Sequence, residues 1–119
     1  TINITTFYQE GGNKEFDDGF KKWLNADAAN LTNNGGNDIV SAVSAMGYDA
    51  YFVALEAAKK AKSTEPAKIM EALWGVEYKG VTGDIKFDGT NGDADRKVAY
   101  IKAADTKTGQ WVFVKEQGV

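Results

Sequence analysis

At Val76 the hydrophobic period of this chain changes, and that change limits the folds open to it. Upstream, apolar residues recur every three or four positions. Phe16, Phe20, Trp23 and Leu24 stand at i, i+4, i+7 and i+8. Tyr48, Tyr51, Phe52 and Leu55 stand at i, i+3, i+4 and i+7, so each set falls on one face of a helix. Downstream the period is two: Asp84-Ile85-Lys86-Phe87-Asp88 alternates polar and apolar, as a half-buried strand does. Helices followed by hairpin-forming strands make an α/β chain. Its 119 residues fit one domain. Roughly two-thirds of the unfolded surface can be buried at this size, enough for a core without staples.

In chain order, the β-branched Thr1–Tyr8 segment reads as a strand. Gly11-Gly12 sits in a loop, and Asn13 is placed to cap a helix over Lys14–Asn25. Glu15, Asp17 and Asp18 suit the positive end of that helix's dipole. Asp17–Lys21 and Asp18–Lys22 are i,i+4 pairs, expected on a solvated face. Ala26–Asp38 reads as a polar loop, with Asp38 or Ser41 as cap for the central helix over Met46–Ala61. Tyr48, Tyr51, Phe52 and Leu55 are its expected core face, while Ala54, Ala57, Ala58 and Ala61 permit close approach of a neighbour. Ser63-Thr64-Glu65-Pro66 predicts a stop and a new helix, capped by Ser or Thr, with Ile69, Met70 and Leu73 inside and an end at Gly75. Val98–Ala103 and Gln110–Val114 read as strands joined through Asp105–Gly109. The expected fold is three helices packed on a mixed sheet. Phe16, Phe20, Trp23, Phe52, Trp111 and Phe113 are expected in the core, and packing is also the favoured reading of Tyr8 and Tyr48.

Composition narrows the chemistry. A net charge of -3 without a basic run argues against nucleic acid or an anionic membrane as partner. With no cysteine and no histidine, thiolate chemistry, the commonest general base and the commonest metal ligand are all missing. The serines have no histidine to activate them, so an enzyme is not expected. The acidic turn Asp88–Asp95 fails as a calcium loop: counted from Asp88, position 6 is Asp93 rather than Gly and position 12 is Ala99 rather than Glu. The glycines spell no nucleotide-binding loop. No cofactor and no metal are expected.

Five segments together carry a family resemblance. Gly47-Tyr48-Asp49-Ala50 runs into an Ala-rich helix, and Thr5-Thr6-Phe7-Tyr8 leads to Asn13-Lys14-Glu15-Phe16. Ser63-Thr64-Glu65-Pro66 opens a further helix. Gly80-Val81-Thr82-Gly83 leads to Phe87-Asp88, and Gly109-Gln110-Trp111-Val112 starts a closing strand. Taken in chain order they resemble the C-terminal part of the type I periplasmic binding proteins, the extracytoplasmic receptors of branched-chain amino-acid ABC transporters. The Asn- and Gly-rich Ala26–Asp38 departs from the family's pattern.

That resemblance implies a flavodoxin-like lobe with a C-terminal hairpin, forming part of a two-lobed protein that closes on a small solute. It implies an amino acid as ligand, an ABC-transporter permease as partner of the whole receptor, and a periplasmic or extracellular location, with a lipoprotein anchor as one form. Carried over by position, Val43, Ser44, Ala45 and Met46 match the segment that reaches the cleft, and Tyr48 and Asp49 match the family's Tyr-Asp pair. The chain matches the last third of such a receptor, and specificity would depend mostly on the remainder. The alternative is a self-contained sensor or interaction module built on the same half-fold and forming a homo-oligomer.

Overall fold

Asn13 stays in the β region at φ -142° and its side chain accepts a hydrogen bond from the Phe16 amide, which opens helix α1 over Lys14–Asn25. The element order of the computed structural model, which describes residues 1–87 and 89–119, is β1(Asn3–Thr6), α1, α2(Ala28–Asn33), α3(Ala42–Ala61), α4(Pro66–Leu73), β2(Glu77–Gly80), β3(Gly83–Lys86), β4(Val98–Asp105) and β5(Gln110–Gly118). The α/β class stands. Among the described residues there are four helices rather than three, because Asp27 caps the Ala29 amide and turns part of the polar 26–38 stretch into α2. Ser41 caps α3, which starts one turn earlier than the apolar pattern indicates. At α4 the N-cap is Glu65 with Pro66 behind it, and Ser63 instead accepts from the Glu65 amide.

The named strands pair antiparallel throughout, where a mixed sheet was expected. One sheet runs β1-β4-β5, and β2 and β3 form a separate hairpin. The physical reason lies in the returns. β4 runs back against β1 with Asn3 opposite Ala103, and each remaining pair joins successive strands through a tight turn. Gly83 at φ 107° and Gly109 at φ 69° supply left-handed backbone in those two turns. A register shift between Ile101 and Lys102 puts a bulge into the β4–β5 ladder. Phe87 pairs with Ala94 in an isolated bridge. Of the acidic turn, Asp88 lies outside the described residues. In the rest, the Asn91 side chain accepts from the Asp93 amide, and Asp95 pairs with Lys97 and, more loosely, Lys86.

Two apolar clusters hold the helical part together. Val53, Ala57, Val76 and Ile85 form one, with Ile69 and Leu73 against it; Tyr8, Val40 and Ala45 form the other, with Phe16, Phe20 and Val81 against it. The face that α3 buries is therefore Ala45, Asp49, Val53 and Ala57, not the aromatic one. Four residues at i+4 spacing make one ridge, and small side chains on it let α4 and the β2–β3 hairpin come close. Tyr48, Tyr51 and Leu55 are exposed; only Phe52 of the expected set is half-buried, stacked on Tyr78.

Neither cluster contains a residue of β1, β4 or β5. Every residue of β5 is exposed, so Trp111 and Phe113 are surface residues, as is Trp23 on α1, against expectation. The radius of gyration is 16.4 Å and the extents are 50 × 36 × 21 Å, where a close-packed domain of this length would have a radius of about 13.5 Å.

Candidate functional site

The six positions singled out in the sequence all lie at the N-terminal end of α3, and the helix sends them in different directions. Successive residues turn by about 100°, so neighbours in sequence do not share a face. Ala45 is fully buried in the second cluster. Ser44 closes the cap: its amide donates to Ser41 Oγ at 3.2 Å and the two hydroxyl oxygens are 3.0 Å apart. Val43 and Met46, three residues apart, are exposed. Met46 borders an open groove of about 620 Å³ together with Phe7, Asp93, Asp95 and Arg96.

Tyr48 faces the other way. It lines a groove of about 600 Å³ between α1 and α3, with Asn13, Glu15, Phe16, Phe20 and Trp23. Its ring stands 4.9 Å from both Phe16 and Phe52, which continues an aromatic series running from Tyr8 through Phe16 to Phe20 and Trp23. The Tyr-Asp pair is thus split between surface and interior.

Asp49 is 1% exposed. One carboxylate oxygen accepts from the Val81 amide at 2.9 Å, and the other accepts from the Thr82 amide at 2.9 Å and the Thr82 hydroxyl at 2.6 Å. Three donors satisfy a carboxylate well enough to keep it inside. Gly80 is required beside it, since a Cβ there would overlap the Asp49 carboxylate. The Gly80-Val81-Thr82-Gly83 turn is therefore built around Asp49. From the opposite side Arg96 donates to Thr82 Oγ1 at 2.7 Å and to the Thr82 carbonyl at 3.2 Å, with its guanidinium 5.4 Å from the centre of the Phe7 ring. Burial lowers the Arg96 pKa, with Asp49 acting in the other direction.

A second buried carboxylate does the same for the loop that follows β1. Asp17 accepts from the Tyr8 hydroxyl at 2.5 Å and from the Gly11 amide at 2.7 Å. Burial, together with the hydrogen bond to Asp17, raises the Tyr8 pKa well above the usual phenol range. Asp17 is 4% exposed and is not part of a solvated face. Lys21, its expected partner, pairs with Glu10 at 2.7 Å, while Asp18 pairs with Lys14. Among the described residues no group of three or more acidic side chains could hold a metal, and no helix is long and apolar enough to cross a membrane.

Sequence reading missed Gly80, Val81 and Thr82 as neighbours of Asp49, and Arg96, set against Phe7, as the group that holds Thr82 from beyond. The available signal was a carboxylate on the small-residue ridge of an otherwise apolar helix, where an acid needs donors from elsewhere in the chain.

Comparison with known proteins places this arrangement. The model of the periplasmic binding protein family matches residues 4–109. The chain belongs to that family. Among solved structures, a leucine-binding protein LivK from Thermotoga maritima is similar to this periplasmic binding protein chain at 26% identity and a TM-score of 0.67. The likeness covers 97% of this chain and 30% of LivK, so the chain spans under a third of that protein's length and has the architecture of a partial lobe. No curated protein matches the sequence. The family is one of binding proteins rather than enzymes.

Proposed function

We propose that these 119 residues are the C-terminal part of a two-lobed, extracytoplasmic solute receptor that captures an amino acid and delivers it to an ABC-transporter permease. The observation that carries this reading is the likeness of nearly the whole chain to a leucine-binding protein. The N-terminal end of α3 supplies one wall of the binding cleft, through Val43, Ser44, Ala45, Met46, Tyr48 and Asp49. Within that set the roles divide by burial. Exposed Val43, Met46 and Tyr48 have surface to offer a ligand, whereas Ala45 and Asp49 hold the wall in place. Ligand binding biases an open–closed equilibrium between lobes, and the branched-chain amino acids are the favoured ligands. The location is periplasmic or extracellular.

Isothermal titration of the complete receptor with leucine, isoleucine, valine and glutamate tests this. Saturable heat with an apolar amino acid supports it, and no heat with any of them sinks it. The exposure of all of β5 favours a second reading, an interaction module that self-associates through that strand. Sedimentation showing dimers, without a ligand response, would put that reading first.

A further inference from the structure

We propose that Arg96 is a positioning residue that sets the angle between the helical unit and the three-stranded sheet, by fastening together the two places where the chain crosses from one to the other. The helical unit comprises α1–α4 with the β2–β3 hairpin, and the sheet comprises β1, β4 and β5. The order of elements allows two crossings, one leaving β1 at Phe7 and one entering β4 after Arg96. Two units that share no apolar cluster, joined by two strands of chain, have the geometry of a hinge. Something must then fix their angle.

Arg96 meets that need from the second crossing. Its guanidinium lies against the Phe7 ring of the first crossing, 5.4 Å from the ring centre. Through Nη1 it also donates to the hydroxyl and carbonyl oxygens of Thr82, in the β2–β3 turn of the helical unit. Thr82 is itself held by Asp49 of α3. The series Phe7, Arg96, Thr82 and Asp49 thus runs from both crossings to Asp49 of α3, within the segment that forms the proposed ligand wall. A charge-assisted hydrogen bond and a cation–π contact are directional, so together they favour one angle over others. Lysine would keep the charge but not the planar guanidinium that lies over the Phe7 ring while Nη1 reaches both Thr82 oxygens.

The inference depends on the receptor reading for its use in ligand capture, and not for its geometry. The chain has no cysteine, so spin labels can be placed at will. Lys22→Cys on α1 and Thr106→Cys at the tip of the β4–β5 hairpin, both exposed, report the inter-unit distance in ligand-free protein. Lys22→Cys with Glu71→Cys is the control pair inside the helical unit. In Arg96→Ala the inter-unit distribution should broaden, with other orientations gaining roughly tenfold in population, while the control pair stays narrow. Arg96→Lys and Phe7→Leu should fall between. An unchanged inter-unit distribution in Arg96→Ala overturns the proposal. Should Arg96→Ala broaden the control pair too, Phe7→Leu decides, and a wild-type distribution there overturns it equally. A receptor that binds no amino acid leaves the distance result standing, and a leucine-binding receptor with unchanged distances sinks only this inference.

Discussion

The helical unit and the three-stranded sheet of this chain are stabilised in different ways. In the helical unit, turns are held by buried carboxylates: Asp49 orders the β2–β3 turn and Asp17 the loop after β1, each with all its described donors inside the protein. In the sheet, β5 is held by its ladder to β4 and by side-chain contacts such as Tyr100 with Phe113, and every one of its residues is exposed. One region specifies its own geometry through directional polar contacts to its own residues. The other is regular in backbone but has apolar side chains, Trp111 through Val114, turned to solvent. The difference teaches that local regularity and packing are separate achievements in this chain. The receptor reading gives the sheet a role in which other parts of a larger protein complete it.

The sharpest way to break this comparison is at Asp49. Asp49→Ala removes the acceptor for three donors in a region closed to water, so it should cost roughly 3–5 kcal/mol, read by urea unfolding. That is a large share of the total stability of a domain. A loss under about 1 kcal/mol would mean that the turn holds without it. Gly80→Ala should cost about 1–3 kcal/mol by pushing a Cβ onto the same carboxylate. The two changes share one cause. In an Asp49→Ala background, where the carboxylate is gone, Gly80→Ala should therefore cost less than it does alone. Additive losses would show that Gly80 is needed for some other reason.

Asp49 also shows where sequence reading stops. The α1 boundaries, the Asn13 cap, Pro66 in the first turn of α4 and Gly109 in the hairpin were legible, because each is decided by residues within a few positions of one another. The buried face of α3 was not. Its large aromatics give the stronger periodic signal, but the interior accepts the stripe that lets other elements approach: two alanines, a valine and an aspartate. What makes an aspartate acceptable there is a turn 32 and 33 residues away, which no local pattern contains. Trp23, Trp111 and Phe113 fail for the complementary reason. Their apolar spacing was read correctly as a face, but spacing does not say whether anything packs on it. The candidate cleft positions were found only through family resemblance, and the structure adds that they point in several directions.

Tyr8 sharpens the comparison on the side of the helical unit. Tyr8→Phe leaves a buried Asp17 oxygen without its donor and should cost about 1–3 kcal/mol at neutral pH. The same residue has a pH signature. An ordinary phenol titrates near 10.0, and in the folded chain burial and Asp17 push that titration higher. Above pH 10 the unfolded chain has therefore released a proton that the native chain still binds. The Tyr8 contribution is complete below that pH and falls as pH rises, by about 1.4 kcal/mol per unit while the difference lasts. Urea unfolding from pH 8 to 11 should show wild-type stability declining more steeply than that of Tyr8→Phe. Parallel curves would mean that Tyr8 titrates alike in both states.

The smallest effect belongs to the sheet and tests the comparison from its other end. Phe113 is 42% exposed, and Tyr100, its nearest ring partner, is 6.3 Å away on the neighbouring strand. Phe113→Ser removes apolar surface that is only partly covered in the fold, so the cost to unfolding should stay within about 1 kcal/mol. The variant should also associate less, since a smaller exposed apolar patch leaves less to bury between molecules. Sedimentation at several concentrations checks the second point and urea unfolding the first. A loss of several kcal/mol in the 119-residue chain itself would mean that β5 is covered in solution by another copy. The dimeric module would then become the leading account of this strand. A small loss here, set against a larger one for Phe113→Ser in the complete receptor, would place the cover elsewhere in that receptor and match the proposed function.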